Sequence, residues 1–482
     1  MDNIGNRVFD RLCMRTSLHI DHFLKYFSSR VTTNEASLFL GAGISRNSGL
    51  PGWGTIIEPC AQELGIALTN ESDLLEIAQY YANKHSDAEL RRLVTCLLNT
   101  QAPRNKLLDE LLNIEFHNIW TTNYDRLIER TLDYRQVNYN VVTNDRHLAS
   151  IEQHGRVNIY KINGDVSEPA TIVLTQRDIE RYEVNHSLFL TFLKKELVSH
   201  TFLFAGYSFS DQIILKCLSS IKEFLGEAAG LHYALMLIDE SVDPRFEYFV
   251  DDLERRYGII CLTVPKDELL PLVKRLNKQI RSKKVFISGA YAKVSSKTDM
   301  FADSVASALT HSLLDSGYRI STGVGKRLGT YVTGYGYQYL AEKHIQDPSR
   351  ILTMRPFPFH LALDESKKKE YRYNMMHDCS SAIFLFGQSS YNLEHHIFEK
   401  DGHHSNGVYQ EFQIAKELGL AVIPVGVTGY EAEVIWREVK SEINKYYYLS
   451  KRIDLLYHEK RPNELARLII SILDDIAEYS NI

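Results

Sequence analysis

The chain sets an apolar run, Ala36-Ser37-Leu38-Phe39-Leu40, directly against Gly41-Ala42-Gly43, and this junction constrains the fold more than any other stretch. A short apolar run bounded by glycine reads as a strand buried on both faces, the kind found in parallel sheets. Glycines at its end let the backbone come close to a phosphate, and a helix starting there would offer its first amides to the anion. A second strand-like stretch, residues 118–121, runs into Thr122-Asn123-Tyr124-Asp125, so an amide, a phenol and a carboxylate stand at another strand end. Doubly wound sheets build their ligand crevices at such ends. Further strand-like stretches at 157–162, 201–206 and 233–238 alternate with helical patterns such as 72–84. Alternation of this kind predicts an α/β, Rossmann-type domain. Residues 1–34, apolar at Leu12, Leu18, Phe23, Leu24 and Phe27, predict a helical extension ahead of it.

A Leu- and Lys-rich helix over 267–280 ends in the basic run 281–284, and the domain boundary is expected there, dividing the chain into 1–281 and 284–482. A second α/β series follows. Its strands are expected at 284–290, ending in Ser288-Gly289-Ala290; at 318–321, ending in Thr322-Gly323-Val324-Gly325; and at 350–354, 382–386 and 421–427. Glycine turns after several strands again suit a nucleotide or its phosphates. Neither an internal repeat nor a low-complexity tract is evident.

Composition excludes several classes. With Lys+Arg 55 against Asp+Glu 61 the net charge is -6, which argues against a nucleic-acid partner. No apolar run approaches the ~20 residues of a membrane span and the N-terminus lacks a signal-peptide pattern, so a cytoplasmic protein is expected. The cysteines (Cys13, Cys60, Cys96, Cys217, Cys261, Cys379) are scattered singly, so no metal site is expected. The pairs His395-His396 and His403-His404 read as a solvated polar loop, His154 as a loop histidine, and Tyr446-Tyr447-Tyr448 as packing.

Gly-Ala-Gly followed by Thr-Asn-Tyr-Asp resembles the NAD-binding domain of sirtuins. The resemblance implies that Asn123 binds the ribose or the attacking water and that Asp125 supports the nicotinamide end. Gly41, Ala42 and Ser45 would face the phosphates and ribose. Taken alone, Asn123 would read as a turn residue capping a helix over 125–132. Ile159-Tyr160-Lys161-Ile162-Asn163-Gly164-Asp165 stands where sirtuins carry their catalytic motif, in which a histidine normally precedes Gly-Asp. A carboxamide does not titrate, so Asn163 can hold a hydroxyl or water but cannot act as a general base. Either the histidine has been exchanged to inactivate the site while keeping its shape, the reading preferred on sequence, or the chain relies on Asn123 and positioning alone. Residues 171–178 and Phe204-Ala205-Gly206-Tyr207-Ser208-Phe209-Ser210-Asp211 resemble segments of bacterial sirtuin-like NADases. Gly206 would permit close approach of the ligand and Ser208 would supply a hydroxyl, while Asp211 reads equally as a helix cap or a ribose contact. Protein-deacylating sirtuins usually carry a four-cysteine zinc module. Its absence favours NAD as the substrate itself rather than as a co-substrate, with no separate cofactor.

The glycine turns of the second half and Glu411 resemble the SLOG family of nucleotide-signal sensors. Ser288, Gly289, Gly323 and Gly325 would supply amides and hydroxyls, Arg372 would pair with phosphate, and Glu411 would accept from ribose. Gln388 stands close to where that family often has a lysine. A sirtuin-like NADase followed by a SLOG domain is similar to the NADase effectors of the bacterial Thoeris anti-phage system. The likeness implies activation by a cyclic ADP-ribose isomer made by a TIR-domain partner enzyme, and a homo-oligomer, a tetramer by preference. An NAD-dependent protein deacylase and a catalytically silent NAD or ADP-ribose sensor are the rival readings.

Overall fold

A computed structural model describes residues 2–69, 72–100, 102–149, 151, 156–291, 296–345, 348, 351–357, 364–392 and 397–479. They form two compact units, Met1–Asn277 and Lys278–Ile482, the division falling inside the helix Lys266–Ser282.

The first unit is built on a 7-stranded sheet of β1 (Ala36–Leu40), β2 (Asn118–Thr121), β3 (Tyr139–Val142), β4 (Val157–Lys161), β5 (Thr201–Ala205), β6 (His232–Leu237) and β7 (Ile259–Val264). The spatial order is β3-β4-β2-β1-β5-β6-β7 and every pairing is parallel. Burial on both faces explains the unbroken apolar runs: all five residues of β1, all five of β5 and all six of β7 are buried. The chain leaves β1 toward β2 on one side and later returns to β5 on the other. The reversal opens a crevice above the carboxyl ends of β1 and β5.

Two further features complete the first unit. The expected N-terminal extension is one 31-residue helix, Asp2–Thr32, tied to the sheet where Thr263 donates its backbone N–H to Thr16 Oγ1 at 2.8 Å. Between β1 and β2, after the short helix Ala42–Arg46, the chain inserts four further helices, Trp53–Leu64, Leu74–Lys84, Asp87–Leu98 and Lys106–Leu111. Ile57, Val94 and Leu98 from this insertion pack with Ile172 and Leu174 in a core separate from the one around Trp120 and Phe204. The sequence pattern showed only the second of these helices.

The second unit carries a 5-stranded parallel sheet of β8 (Lys284–Ala290), β9 (Arg319–Thr322), β10 (Leu352–Met354), β11 (Ser381–Phe386) and β14 (Ala421–Pro424), in the order β10-β9-β8-β11-β14. Between β11 and β14 lies an antiparallel pair, β12 (Gln388–Asn392) and β13 (Ile397–His404). This pair corrects the expectation of a solvated histidine loop: residues 403 and 404 belong to a strand, and His404 Nδ1 meets Glu431 Oε2 at 3.1 Å. His154, His395 and His396 lie outside the described residues. Two of the three tyrosines pack, with Tyr446 buried and the Tyr448 hydroxyl accepting from Val422 N at 2.8 Å, while Tyr447 is exposed. No described helix is long and apolar enough to cross a membrane.

Candidate active site

A cavity of about 1340 Å³ occupies the crevice of the first unit, lined by Ala42, Ser45, Asn123, Asp125, Asn163, Gly206, Ser208 and Asp211 together with the helical insertion. Typical small-molecule pockets hold about 300–1,000 Å³, so a dinucleotide is within its range. Its residues come from the ends of β1, β2, β4 and β5, the positions at which the sequence placed them.

Gly41, Gly43 and Gly206 hold two turns of the first unit against each other. A Cβ on Gly41 would lie 2.4 Å from Gly206 O and 2.4 Å from Tyr207 Cα, and one on Gly206 (φ +64) would lie 2.7 Å from Ile44 N. Gly41 N donates to Ala205 O at 2.9 Å and Gly43 N to Gly206 O at 2.8 Å. Glycine is therefore required at both positions because two turns of the protein lie against each other. The helix that follows is only Ala42–Arg46, and the Gly43 and Ile44 amides are already engaged with Gly206 O and Gly41 O. The row of anion-binding amides expected at this turn is largely used up within the protein.

Asn123 and Ser45 form the centre of the site. Asn123 Nδ2 donates to Gly41 O at 3.1 Å and to Ser45 Oγ at 3.0 Å, and Ser45 Oγ donates to Asp125 Oδ2 at 2.7 Å. All three residues are buried. The Ser45 hydroxyl expected to face the ligand is thus committed to Asp125. Asp125 Oδ1 in turn accepts from Leu127 N at 2.9 Å, so Asp125, not Asn123, holds the start of the helix Leu127–Tyr134. That geometry removes the helix-cap alternative for Asn123. Its Oδ1 is buried and accepts no hydrogen bond, and the same holds for Asn163 Oδ1. Two buried carboxamide oxygens on one cavity call for a donor, such as a ribose hydroxyl or a water.

Asn163 stands just beyond β4, on the turn that Gly164 (φ +88) makes against Thr171 and Ile172. Its Nδ2 donates to Asp211 Oδ2 at 3.4 Å. Asp211 caps the helix Gln212–Leu225 through Oδ1, which accepts from Ile213 N at 2.9 Å and Ile214 N at 3.4 Å, so its capping role is real. Desolvation raises the Asp211 carboxyl above the usual aspartate range, opposed only by these hydrogen bonds and that from Asn163. Ser208 is exposed and its hydroxyl pairs with that of Ser210 at 2.7 Å.

Sequence reasoning missed the support beneath these turns. Lys161, the last residue of β4, is fully buried and meets Glu129 Oε1 at 3.0 Å and Asp165 Oδ2. It also donates to the backbone carbonyls of Tyr124 and Asp125. One ammonium thereby ties the turn after β2 to the turn after β4. Burial raises the Glu129 carboxyl despite Lys161. At Asp165 the attraction of Lys161 and the Ser167 hydrogen bonds outweigh burial and lower it. A lysine inside the apolar run Ile159-Tyr160-Lys161-Ile162 was the available signal, since a charge at a buried strand position demands a partner. Also missed was Trp53, which lines the cavity with its ring centroid 6.0 Å from that of Tyr124.

In the second unit, Ser288 on β8 donates its hydroxyl to Glu411 on the helix Asn406–Glu417, and burial raises the Glu411 carboxyl. Arg372, on the helix Glu365–Met376, is 8% exposed and stacks its guanidinium 4.4 Å from the Phe357 ring centroid. Its Nε is buried without a hydrogen-bond partner. Gly289, Gly323 and Gly325 are again packing glycines: their Cβ positions would meet Leu385 O at 2.5 Å, Met375 Cε at 2.5 Å and Gly289 O at 2.1 Å. Gln388 is fully buried at the start of β12. All six cysteines are free thiols, and no cluster of metal-ligating side chains occurs among the described residues.

Comparison with known proteins follows the same division. Residues 117–260 match the SIR2-like domain family, and residues 268–476 match the Sir2- and TIR-associating SLOG family. The NAD(+) hydrolase ThsA of Bacillus cereus (strain MSX-D12) is 30% identical over 488 residues, covering 97% of this chain and 100% of the relative. The chain belongs to the ThsA NAD(+) hydrolase family. ThsA relatives from Cytobacillus dafuensis (29% identity, 91% of this chain and 92% of the relative) and Enterococcus faecium (28%, 94% and 98%) match along almost their whole lengths. The likeness to ThsA proteins therefore spans the cavity of the first unit and the Arg372 region of the second alike.

Proposed function

We propose that the chain hydrolyses NAD+ to ADP-ribose and nicotinamide in the cavity of its first unit. The observation that carries this reading is the pair Asn123 and Asn163: two buried carboxamides on one cavity at the sheet's reversal point, each with an unsatisfied acceptor oxygen. Cleaving the nicotinamide–ribose bond passes through an oxocarbenium-like state, and nicotinamide departs neutral from a cationic pyridinium. The protein's task is to hold the ribose, exclude bulk water and place one nucleophilic water. Asn123, fixed by Gly41 and Ser45, is positioned to accept from that water or from the ribose diol.

The second unit binds a nucleotide-derived signal, a cyclic ADP-ribose isomer supplied by a TIR-domain partner enzyme in an anti-phage defence system. Arg372 supports this. A guanidinium held by an aromatic ring, desolvated and with an unpartnered Nε, is suited to a phosphate. Signal binding switches on NAD+ destruction in a cytoplasmic homo-oligomer, a tetramer by preference. The test is nicotinamide release from NAD+ by the full chain, with and without cyclic ADP-ribose isomers and with an acetyl-lysine peptide as control. Release stimulated by an isomer and indifferent to the peptide supports the reading. Peptide-dependent release would mark a deacylase, and NAD+ binding with no release by either Asn163 or its histidine variant would mark a silent sensor.

A further inference from the structure

Position 163 lacks a titratable group, yet the side chain that Asn163 touches has one. Asp211 Oδ2 accepts from Asn163 Nδ2 at 3.4 Å, and Asp211 lines the same cavity as Asn123. We propose that in this chain Asp211 is the catalytic residue that takes the proton of the attacking water, a role that rests on the NAD+ hydrolase reading.

Three observations point to Asp211 over other carboxylates of the cavity. Asp125 has both oxygens engaged, by Ser45 Oγ and Leu127 N. Asp73 caps the helix Leu74–Lys84 at an exposed position. Asp211 divides its two oxygens: Oδ1 serves the helix amides, while Oδ2 meets only the long contact from Asn163. Asn123 and Asn163 line the same cavity, and each keeps a buried Oδ1 without a donor, so this wall suits a ligand that donates hydrogen bonds, as water does.

The charge environment agrees. Among the described residues, the ionisable groups that feel the charge of Asp211 are phenols and a thiol: Tyr124 beyond β2, Tyr182 on the helix Tyr182–Asn185, Tyr207 beyond β5 and Cys217 on its own helix. Burial pushes each of them up, Cys217 to about 11, so all are neutral near pH 7. Asp211 is partly buried as a residue, and its carboxylate lies deep enough for desolvation to raise it, which brings its basicity closer to working pH. In the step, the C1′–N bond of NAD+ breaks with its electron pair passing to the nicotinamide nitrogen. The water oxygen bonds to C1′, its proton passes to Asp211, and that proton later leaves to solvent. NAD+ and water thus give ADP-ribose, nicotinamide and one proton.

Asp211→Asn tests the assignment, because asparagine caps a helix as well as aspartate does but takes no proton. The parent chain, Asp211→Asn and Asn163→His are compared for nicotinamide release at saturating NAD+ across pH, with and without a panel of cyclic ADP-ribose isomers. NAD+ affinity is measured by calorimetry. The parent is expected to turn over, with kcat falling on the acid side at a pH above the ordinary aspartate range. Asp211→Asn should lower kcat by ~10²–10⁴-fold and remove that limb, with NAD+ affinity within about threefold of the parent. Asp211→Asn within threefold of the parent in kcat, its acid limb intact, would overturn the proposal and leave Asp211 a cap. A parent that is silent where Asn163→His is active would overturn it too, while leaving the hydrolase reading in place. Silence of both would overturn the two together.

Discussion

Removing the buried ammonium of Lys161 should be far more damaging than removing its partner Glu129. Lys161 sits among Glu129 and Asp165 with side-chain exposures of 0%, 0% and 2%, one positive charge against two carboxyls. Lys161→Met fills the same space but strands both carboxyls in a dry site and frees the carbonyls of Tyr124 and Asp125. Breaking a buried ion pair by removing one member costs about 3–5 kcal/mol, a large part of the ~5–15 kcal/mol that holds a domain. Glu129→Gln leaves the Lys161–Asp165 pair intact and takes away a carboxyl whose ionisation burial already opposes, so its expected cost is within about 1 kcal/mol. The pH dependence has a definite sign. The Glu129 carboxyl is raised above its ordinary 4.5, so its contribution is full below that pH and is lost as pH rises toward its folded value. Glu129→Gln should therefore gain on the parent as pH rises through that window. Asp165 is lowered below 3.8, and its contribution is lost only as pH falls below that value. Urea unfolding followed by tryptophan fluorescence reads both variants, since Trp53 and Trp120 lie in the first unit. Glu129→Gln as costly as Lys161→Met, or Lys161→Met within 1 kcal/mol of the parent, would refute the reasoning.

Gly206→Ala should destabilise the first unit by about 2–5 kcal/mol, combining positive-φ strain with a Cβ driven 2.7 Å from Ile44 N, and a melting temperature unchanged from the parent would contradict this. Arg372→Ala should weaken binding of the activating cyclic ADP-ribose isomer by 30-fold or more, from the ~2–5 kcal/mol of a buried charged contact, while NAD+ affinity measured by calorimetry stays unchanged. Equal loss of both affinities would place Arg372 in a structural role. Light scattering at micromolar concentration should give a mass well above the 55.4 kDa of one chain, and a value near 55.4 kDa would contradict assembly.

The parts of this molecule that were legible in its sequence are those fixed by neighbours along the chain. The apolar runs of β1, β5 and β8 end in glycine because a buried parallel strand must stop and turn, and the shorter runs of β2 and β4 leave Asn123 and Asn163 just beyond strand ends. What was not legible depends on pairs far apart in sequence. Gly41 needs Gly206 before its lack of a side chain has a reason, and Lys161 needs Glu129. Asn163 and Asp211, 48 residues apart, meet only when β4 and β5 are brought into one sheet. The helices Trp53–Leu64, Leu74–Lys84 and Asp87–Leu98 bury against Ile172 and Leu174, so their amphipathic pattern had no visible counterpart nearby. The strand pair β12–β13 escaped for a different reason: its polar sequence, with two histidines at the end of β13, looks like loop.

Hydrolysis in this cavity requires that water, placed by Asn123, attack C1′ of NAD+. Turnover of NAD+ by the full chain in ¹⁸O-water, with products read by mass spectrometry, tests it most directly. The account predicts ADP-ribose carrying one ¹⁸O at C1′, nicotinamide in equal amount, and loss of both in Asn123→Ala with its fold and NAD+ affinity retained. Unlabelled or cyclised product, or undiminished turnover by Asn123→Ala, would contradict it.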